Sequence, residues 1–407
     1  AGDAWLFGRN APAALGKPIR GESRDPALVP GVVSENAPRR VTPQMLGAPA
    51  GVVFVHAAVG RAHTLLVASN GDVWTAGANT LGQCGHSPCP EVPSFTLLRG
   101  PWPGEVKEKI VKVGAGVNFS ILLAESGKVY ALGSGEHGQL GNGRTGEHIA
   151  TGNKIMFDVY SEPVLVKGLE GKVITHVSCG HQHTIAMDSE GFVFVWGYNG
   201  YCRLGLGDQR DVLIPRAVPN FASSNEITRA IHVAAGPANS TVLDRQKMYY
   251  MAGKWKNSGE GSSGSPFSTF RFIQDLMGCK IYNACSGGVT HFALAPDESD
   301  GSVMTIAFGQ SAANGELGFG PAEAKSATKP TRHQPLIGVD VIELSVFMLC
   351  SSSPNEQHLR GPEHNVLPRT SEREAVRSAA SPGARRLARG VCGVQHGPRG
   401  GRPAARV

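Results

Sequence analysis

Histidine is the first candidate for chemistry in this chain, because an imidazole beside a hydroxyl or carboxylate is the smallest unit of a proton relay. His63, His183 and His291 each stand three residues after a glycine, at Gly60, Gly180 and Gly288, and His63 and His183 are followed by Thr. Three histidines at one equivalent position of a recurring stretch point to a shared structural hydrogen bond, not to three active sites. His181 is the individual one. A Ser/His/Asp triad would need a Gly-x-Ser-x-Gly elbow between a strand and a helix, and none is found. Cys84 and Cys89 flank His86 and could form half of a zinc site, but no second ligand pair lies nearby, and the eight cysteines are scattered without paired spacing. Small buried thiols in a reducing compartment are the expectation. Gly133-Ser-Gly135-Glu-His-Gly138 matches the letters of a dinucleotide fingerprint, yet Gln139-Leu-Gly-Asn-Gly cannot open the helix that such a site needs. Asn118-Phe-Ser and Asn239-Ser-Thr fit the glycosylation pattern, but both fall on repeat turns. The sequence therefore predicts no catalytic residue, no metal, no cofactor and no small-molecule substrate.

These residues sit in a repeat. Its best-preserved copy runs from His176 to Asp208, where Val193 and Val195 alternate with Phe192, Phe194 and Trp196, so that both faces of one strand are apolar. The first half of the repeat, Gly-x-x-His-Thr followed by an apolar run, starts at Gly60, Gly116, Gly180, Gly236 and Gly288, spaced 56, 64, 56 and 52 residues apart. The second half, Gly-x-Val-aromatic followed by spaced glycines, starts at Gly71, Gly127, Gly191 and Gly301, with a degenerate copy from Lys247 to Gly253. A period near fifty residues with several strand-like runs predicts the blades of a β-propeller, since stacked sheets bury both faces and a ring removes the end faces. Both ends are irregular. Trp5 to Gly16 is a second half without a first, and Ile342–Val346 begins a first half that is not completed. Two insertions stand out: 142–165 lengthens one loop between copies, and 254–275 replaces the regular glycine pattern with a Gly/Ser-rich segment, and long loops on rigid blades are where binding usually resides.

With 41% hydrophobic residues and 53 glycines, a turn-rich fold can bury a real core. The net charge of +6 resides in the tail: residues 351–407 hold ten Arg, no Lys and four Glu, while the other 29 basic and 29 acidic residues cancel. The body thus carries no long-range basic footprint for nucleic acid. No apolar run could span a bilayer, so no membrane partner is expected. The chain begins at Ala1-Gly-Asp, and a leader removed earlier would leave no trace. From Ser351 the composition fits disorder, or equally an altered splice or reading frame.

Gly180-His-Gln-His-Thr184, then Val193-Phe-Val-Trp-Gly197-Tyr-Asn199 and Arg203-Leu-Gly205, resembles the repeat of the regulator of chromosome condensation family, over roughly residues 1–346. Within it the chain looks most like the second, chromosomal-passenger-type paralogue, through Gly197 to Gly205 and Gly309 to Gly318. The resemblance implies an all-β propeller of about seven four-stranded blades, with the first and last incomplete in this chain. It also implies a non-enzymatic interaction scaffold. The founding member is a guanine-nucleotide exchange factor for a Ran-type small GTPase and docks on nucleosomes. Its exchange leans on a carboxylate in a Gly-Asn-Asp-His turn, where this chain reads Gly116-Val-Asn118-Phe, an amide in place of the acid. The paralogue is associated with Rac, Arf or Ral-class GTPases, microtubules and chromosomes. A protein partner is therefore expected, with a small GTPase or a subunit role in a cytoskeletal, chromosomal or organellar assembly as the two readings. The compartment expected is nuclear, cytoplasmic or both. The residues expected to meet a partner are Asn118, Glu136, His137, His181, Asp208, Arg210 and Asp211. In the 347–407 tail, Arg385, Arg386 and Arg389 are expected to meet nucleic acid or direct nuclear import, or else to be solvated.

Overall fold

The computed structural model describes residues 2–10, 13–16, 34–103, 107–255, 265–288, 290–309, 317–320, 327–339 and 341. These form five four-stranded antiparallel sheets, each a simple meander, and two two-stranded sheets, one of them a hairpin on a loop of blade 3. The other two-stranded sheet, blade 1, pairs Ala4–Arg9 with Ser34–Val41. Blade 2 holds Phe54–Val59, His63–Ala68, Val73–Asn79 and Cys89–Leu97. Blade 3 holds Ile110–Ala115, Phe119–Ala124, Val129–Ser134 and Val159–Leu165. Blade 4 holds Ile174–Cys179, His183–Asp188, Val193–Gly197 and Val212–Ala217. Blade 5 holds Ala230–Gly236, Asn239–Asp244, Tyr249–Gly253 and Phe267–Phe272. Blade 6 holds Asn283–Ser286, Thr290–Pro296, Val303–Gly309 and Ala327–Arg332. The fold is the expected all-β propeller. The Ile342–Val346 half-repeat and the 347–407 tail lie outside the described residues.

Burial orders the strands. The second strands of blades 2 to 5 are buried at every residue, as a strand with sheets packed on both faces must be. The first strands of neighbouring blades pack on one another and form the inner ring, while the fourth strands alternate toward solvent. The cores lie between blades: one runs from Phe119 through Trp196 to Phe270, and another joins Leu65 and Trp102 to Tyr130. Trp196, fully buried in blade 4, donates its indole N–H to the Gln139 carbonyl of blade 3 at 3.0 Å.

The repeat histidines are structural, as their equivalence predicts. Ser120 Oγ donates to the Gln83 carbonyl at 2.7 Å, so the His63 Nε2–H must be the donor in its 2.9 Å bond to that hydroxyl. Blade 4 repeats the chain two blades on: Ser240 Oγ donates to the Arg203 carbonyl at 2.7 Å, and His183 Nε2 meets Ser240 Oγ at 3.1 Å. His291 donates to the Trp255 carbonyl at 3.2 Å. Burial pushes His63 and His291 down to about 4 and His183 well below its ordinary value, so all three are neutral at pH 7. Each hydrogen bond fastens one blade to the next. The turn glycine before them is required by close approach: a Cβ on Gly180 would stand 2.3 Å from the Gly236 oxygen and 2.1 Å from the His183 ring.

Two loop expectations need correction. Residues 142–165 do not separate copies. They leave the third strand of blade 3, and their last part, Val159–Leu165, is that blade's outer strand. Likewise 254–275 contains the outer strand Phe267–Phe272 of blade 5, and 256–264 lie outside the described residues. An outer strand pairs on one edge only and shows weak alternation, so in sequence it resembles a loop.

Candidate protein-interaction rim

In a four-stranded meander, the turn from first to second strand and the loop from third to fourth leave the sheet at the same end. Asn118 and His181 occupy first-to-second turns. Glu136, His137, Asp208, Arg210 and Asp211 occupy third-to-fourth loops. The topology therefore gathers all seven on one rim of blades 3 and 4. The turns are laced together around the inner edge: Arg61 N–H donates to the Gly116 carbonyl at 3.1 Å, Val117 N–H to His181 at 2.8 Å, and His181 N–H to Pro237 at 3.4 Å.

A buried asparagine folds each regular third-to-fourth loop. Asn10, Asn79 and Asn199 stand two residues after Gly8, Gly77 and Gly197, and each side-chain oxygen accepts the N–H five residues on, from Leu15, Cys84 and Leu204, at 2.9 to 3.0 Å. This satisfies buried backbone donors that no strand partner reaches. In blade 2 the same loop aims Cys84 Sγ at the Ala78 carbonyl, 3.3 Å away, and burial raises that thiol to about 12. Cys84 is thus an inert core thiol. At 133–138, the fingerprint-like glycines end a strand and begin a turn, not a helix. Asn239 is fully buried and holds the Lys254 and Gly288 carbonyls, so its glycosylation pattern has no accessible amide.

Between blades 3 and 4 the predicted residues meet. His137 Nδ1 lies 3.1 Å from one carboxylate oxygen of Asp211, whose other oxygen accepts the Asn199 N–H at 2.8 Å. The His137 ring packs on Tyr198 at 4.5 Å, and the Arg203 guanidinium lies 4.5 Å over the same tyrosine. Arg203 is buried and spends its donors on the Gly200 and Pro237 carbonyls. Burial lowers its pKa to about 10, which leaves it charged at pH 7. Asp208 pairs with Arg210 at 2.9 Å, and that bond holds its carboxyl below the usual range. Glu136 stands 3.9 Å from His137. The contacts of His137 are a carboxylate and an aromatic face, which lock two loops together and present charge.

Blade 3 departs from these three loops. Gly135 replaces the loop asparagine, and the loop opens into a hairpin that pairs His148–Ala150 with Lys154–Met156. Gly152 and Asn153 are left-handed at φ +82° and +55°, as a tight hairpin turn demands. Ile149 and Ile155 face each other across the pair, 75% and 57% exposed, with Met156 beside them. The base is fixed by Arg144, Asp158 and Tyr160. Arg144 Nε donates to the Tyr160 hydroxyl at 2.9 Å, and that hydroxyl donates to Asp158 at 3.0 Å. Burying two isoleucines from such exposure is worth about 1–2 kcal/mol each to whatever covers them. The hairpin, Tyr198 and Arg203 were missed in sequence. The signal was Thr151-Gly-Asn153 between two short apolar runs. Arg385, Arg386 and Arg389 lie outside the described residues.

The model of the RCC1-like domain family matches residues 1–350. Among curated proteins, the chain is similar to Protein RCC2 homolog of Xenopus laevis, 31% identical over 83% of this chain and 62% of that one. It is similar to Protein RCC2 homolog of Danio rerio, 33% identical over 83% of this chain and 64% of that one. The chain thus spans less than two thirds of the length of these relatives. Among solved structures it is similar to human WBSCR16, at a TM-score of 0.64 and 20% identity, covering 84% of this chain and 79% of that one. It is also similar to yeast Prp20p, described with its binding to Gsp1p and histones, at a TM-score of 0.61 and 18% identity, covering 84% and 76%. These two likenesses concern the fold.

Proposed function

The chain belongs to the RCC1-like domain family, and from that premise we propose that it is a non-enzymatic propeller scaffold that grips a protein partner, a small GTPase, with the rim of blades 3 and 4. The observation that carries this reading is the Ile149–Ile155 hairpin, an exposed apolar pair standing on this rim. Beside it the laced turns at Asn118 and His181 and the locked loops of His137, Asp208, Arg210 and Asp211 supply a rigid polar border, the usual build of an interface. Exchange would proceed by the hairpin and neighbouring loops competing for the nucleotide site and lowering nucleotide affinity, with no covalent step. Asn118 can donate and accept hydrogen bonds but carries no charge, so selectivity for a GTPase other than the Ran type follows. The propeller is assigned to 1–346 and the tail to 347–407, in an intracellular setting, nuclear or cytoplasmic. The relative Prp20p is described as binding histones; contact of this chain with chromatin is assigned to Arg385, Arg386 and Arg389, and deleting 351–407 should then abolish DNA retention.

The test is release of a fluorescent guanine nucleotide from Ran-, Rac-, Arf- and Ral-class GTPases with the full chain added. Faster release from one of them supports the reading. No acceleration and no binding across the set refutes it, and a stoichiometric complex lacking any GTPase in native purification would favour the assembly-subunit reading.

A further inference from the structure

The third-to-fourth loops of blades 2, 3 and 4 make the same turn, and blade 4 makes it at a cost the other two avoid. Blades 2 and 3 read Leu81-Gly82-Gln83 and His137-Gly138-Gln139 there. Both glycines take φ +73°, and each glutamine side chain accepts the N–H two residues back, from Leu81 at 3.0 Å and from His137 at 2.7 Å. Blade 4 reads Tyr201-Cys202-Arg203 at the same place, between Asn199 and Gly205. Arginine has no acceptor to offer, so the Tyr201 N–H turns to Gln209 Oε1 at 3.3 Å. Tyr201 and Cys202 then stand consecutively in the left-handed region, at φ +60° and +56°, whereas neither Leu81 nor His137 is left-handed. That region crowds the Cβ of a residue such as tyrosine. Arg203 adds a second cost: its charged guanidinium is buried and, among the described residues, forms no ion pair.

Strained backbone persists where its surroundings over-determine it, and such positions cluster at binding sites. What this turn gains is display. Tyr201 is 49% exposed at the tip of the loop, and Lys254 Nζ, just past the third strand of blade 5, lies 5.2 Å over its ring. The acids of the loop are already engaged within it: Asp208 holds Arg210, and Asp211 holds His137 and the Asn199 N–H. Among the described residues Lys254 has no carboxylate partner, and its ammonium rests on an aromatic face instead. The tip therefore offers an aromatic ring and a cation together. Tyrosine is enriched among residues that carry binding energy, since its large ring loses little entropy on contact, and the cation complements acid on the other side.

We infer that Tyr201 is the anchor by which blade 4 holds the GTPase partner, with Lys254 beside it meeting an acidic segment of that partner. The inference rests on the proposed grip of this rim on a small GTPase, and it extends the contact to blade 5. Two measurements on the full chain test it. In urea unfolding, Tyr201→Gly should hold or raise the midpoint, because glycine adopts the left-handed turn without strain. A lowered midpoint would mean that the tyrosine serves the fold, and would overturn the inference. In surface plasmon resonance against Ran-, Rac-, Arf- and Ral-class GTPases, Tyr201→Gly should raise Kd by about 30-fold or more for whichever one binds. Added salt should weaken that binding, and Lys254→Gln should reduce the salt dependence; a salt dependence that Lys254→Gln leaves unchanged would overturn the acidic contact. Binding that survives Tyr201→Gly unchanged, yet is lost in Ile149→Asp/Ile155→Asp, would overturn the anchor and leave the proposed function standing. An unaltered chain that binds none of the four would refute that function and this inference with it.

Discussion

Lowering the pH from about 7.5 to about 5.5 should weaken this propeller through imidazoles that it buries neutral. Burial holds His56, His63 and His291 down to about 4, against 6.5 for an exposed imidazole. Above pH 6.5 both folded and unfolded chains carry these rings neutral, and they contribute no pH dependence. Between 6.5 and 4 the unfolded chain binds protons that the folded one refuses, so stability falls as pH falls, and below 4 the loss levels off. At about pH 5.5 each such ring costs about 1.4 kcal/mol, or about 4 kcal/mol for the three, a large share of a typical domain's 5–15 kcal/mol. Urea unfolding followed by tryptophan fluorescence at the two pH values measures the loss. Carboxylates add their own dependence, so the informative comparison is with the double variant His63→Gln/His291→Gln. It should start less stable, having lost two links between blades, yet its loss over the same interval should be smaller by about 3 kcal/mol. Equal losses in the two proteins would refute the claim that these rings are held neutral.

Replacing Ile149 and Ile155 by Asp should leave the unfolding midpoint unchanged, because both side chains are exposed. It should weaken the partner complex by about 2–4 kcal/mol, read as a 30- to 1000-fold rise in Kd by surface plasmon resonance. Gly180→Ala should destabilise the fold by about 1–3 kcal/mol in the same urea assay, since its Cβ would meet the Gly236 oxygen at 2.3 Å. Asp211→Ala should cost about 1 kcal/mol of stability by freeing the Asn199 N–H and His137, and should weaken partner binding further. Cys84 and Cys179, both pushed up to about 12 by burial, should resist alkylation in the native chain at about pH 8 and react after denaturation.

The repeat was legible because propeller blades impose one physical demand several times. Two strands must be apolar on both faces, and a glycine must stand wherever neighbouring turns nearly touch, as at Gly180 against Gly236. A single sequence displays those demands at a fixed period. The same recurrence removes His63, His183 and His291 from catalytic candidacy on sequence alone, and their buried hydrogen bonds to the neighbouring blade supply the reason. What recurs only weakly was misread. The outer strands Val159–Leu165 and Phe267–Phe272 passed for loops, since one exposed face and one free edge leave little pattern.

The sequence by itself determined the blade, because local alternation and glycine spacing are nearest-neighbour properties of each sheet. It also singled out His181 as the histidine without a repeat explanation, and the family resemblance pointed to Asn118. Only the tertiary structure decided that these share one rim, that His137 closes on Asp211 from the next blade, and that Ile149 and Ile155 stand side by side in solvent. The inner-strand residues His56, Lys112, His176 and His232 are far apart in the chain and differ in type. Their equivalent register against the second strands follows from one shift repeated in four blades, and it is written in no single repeat.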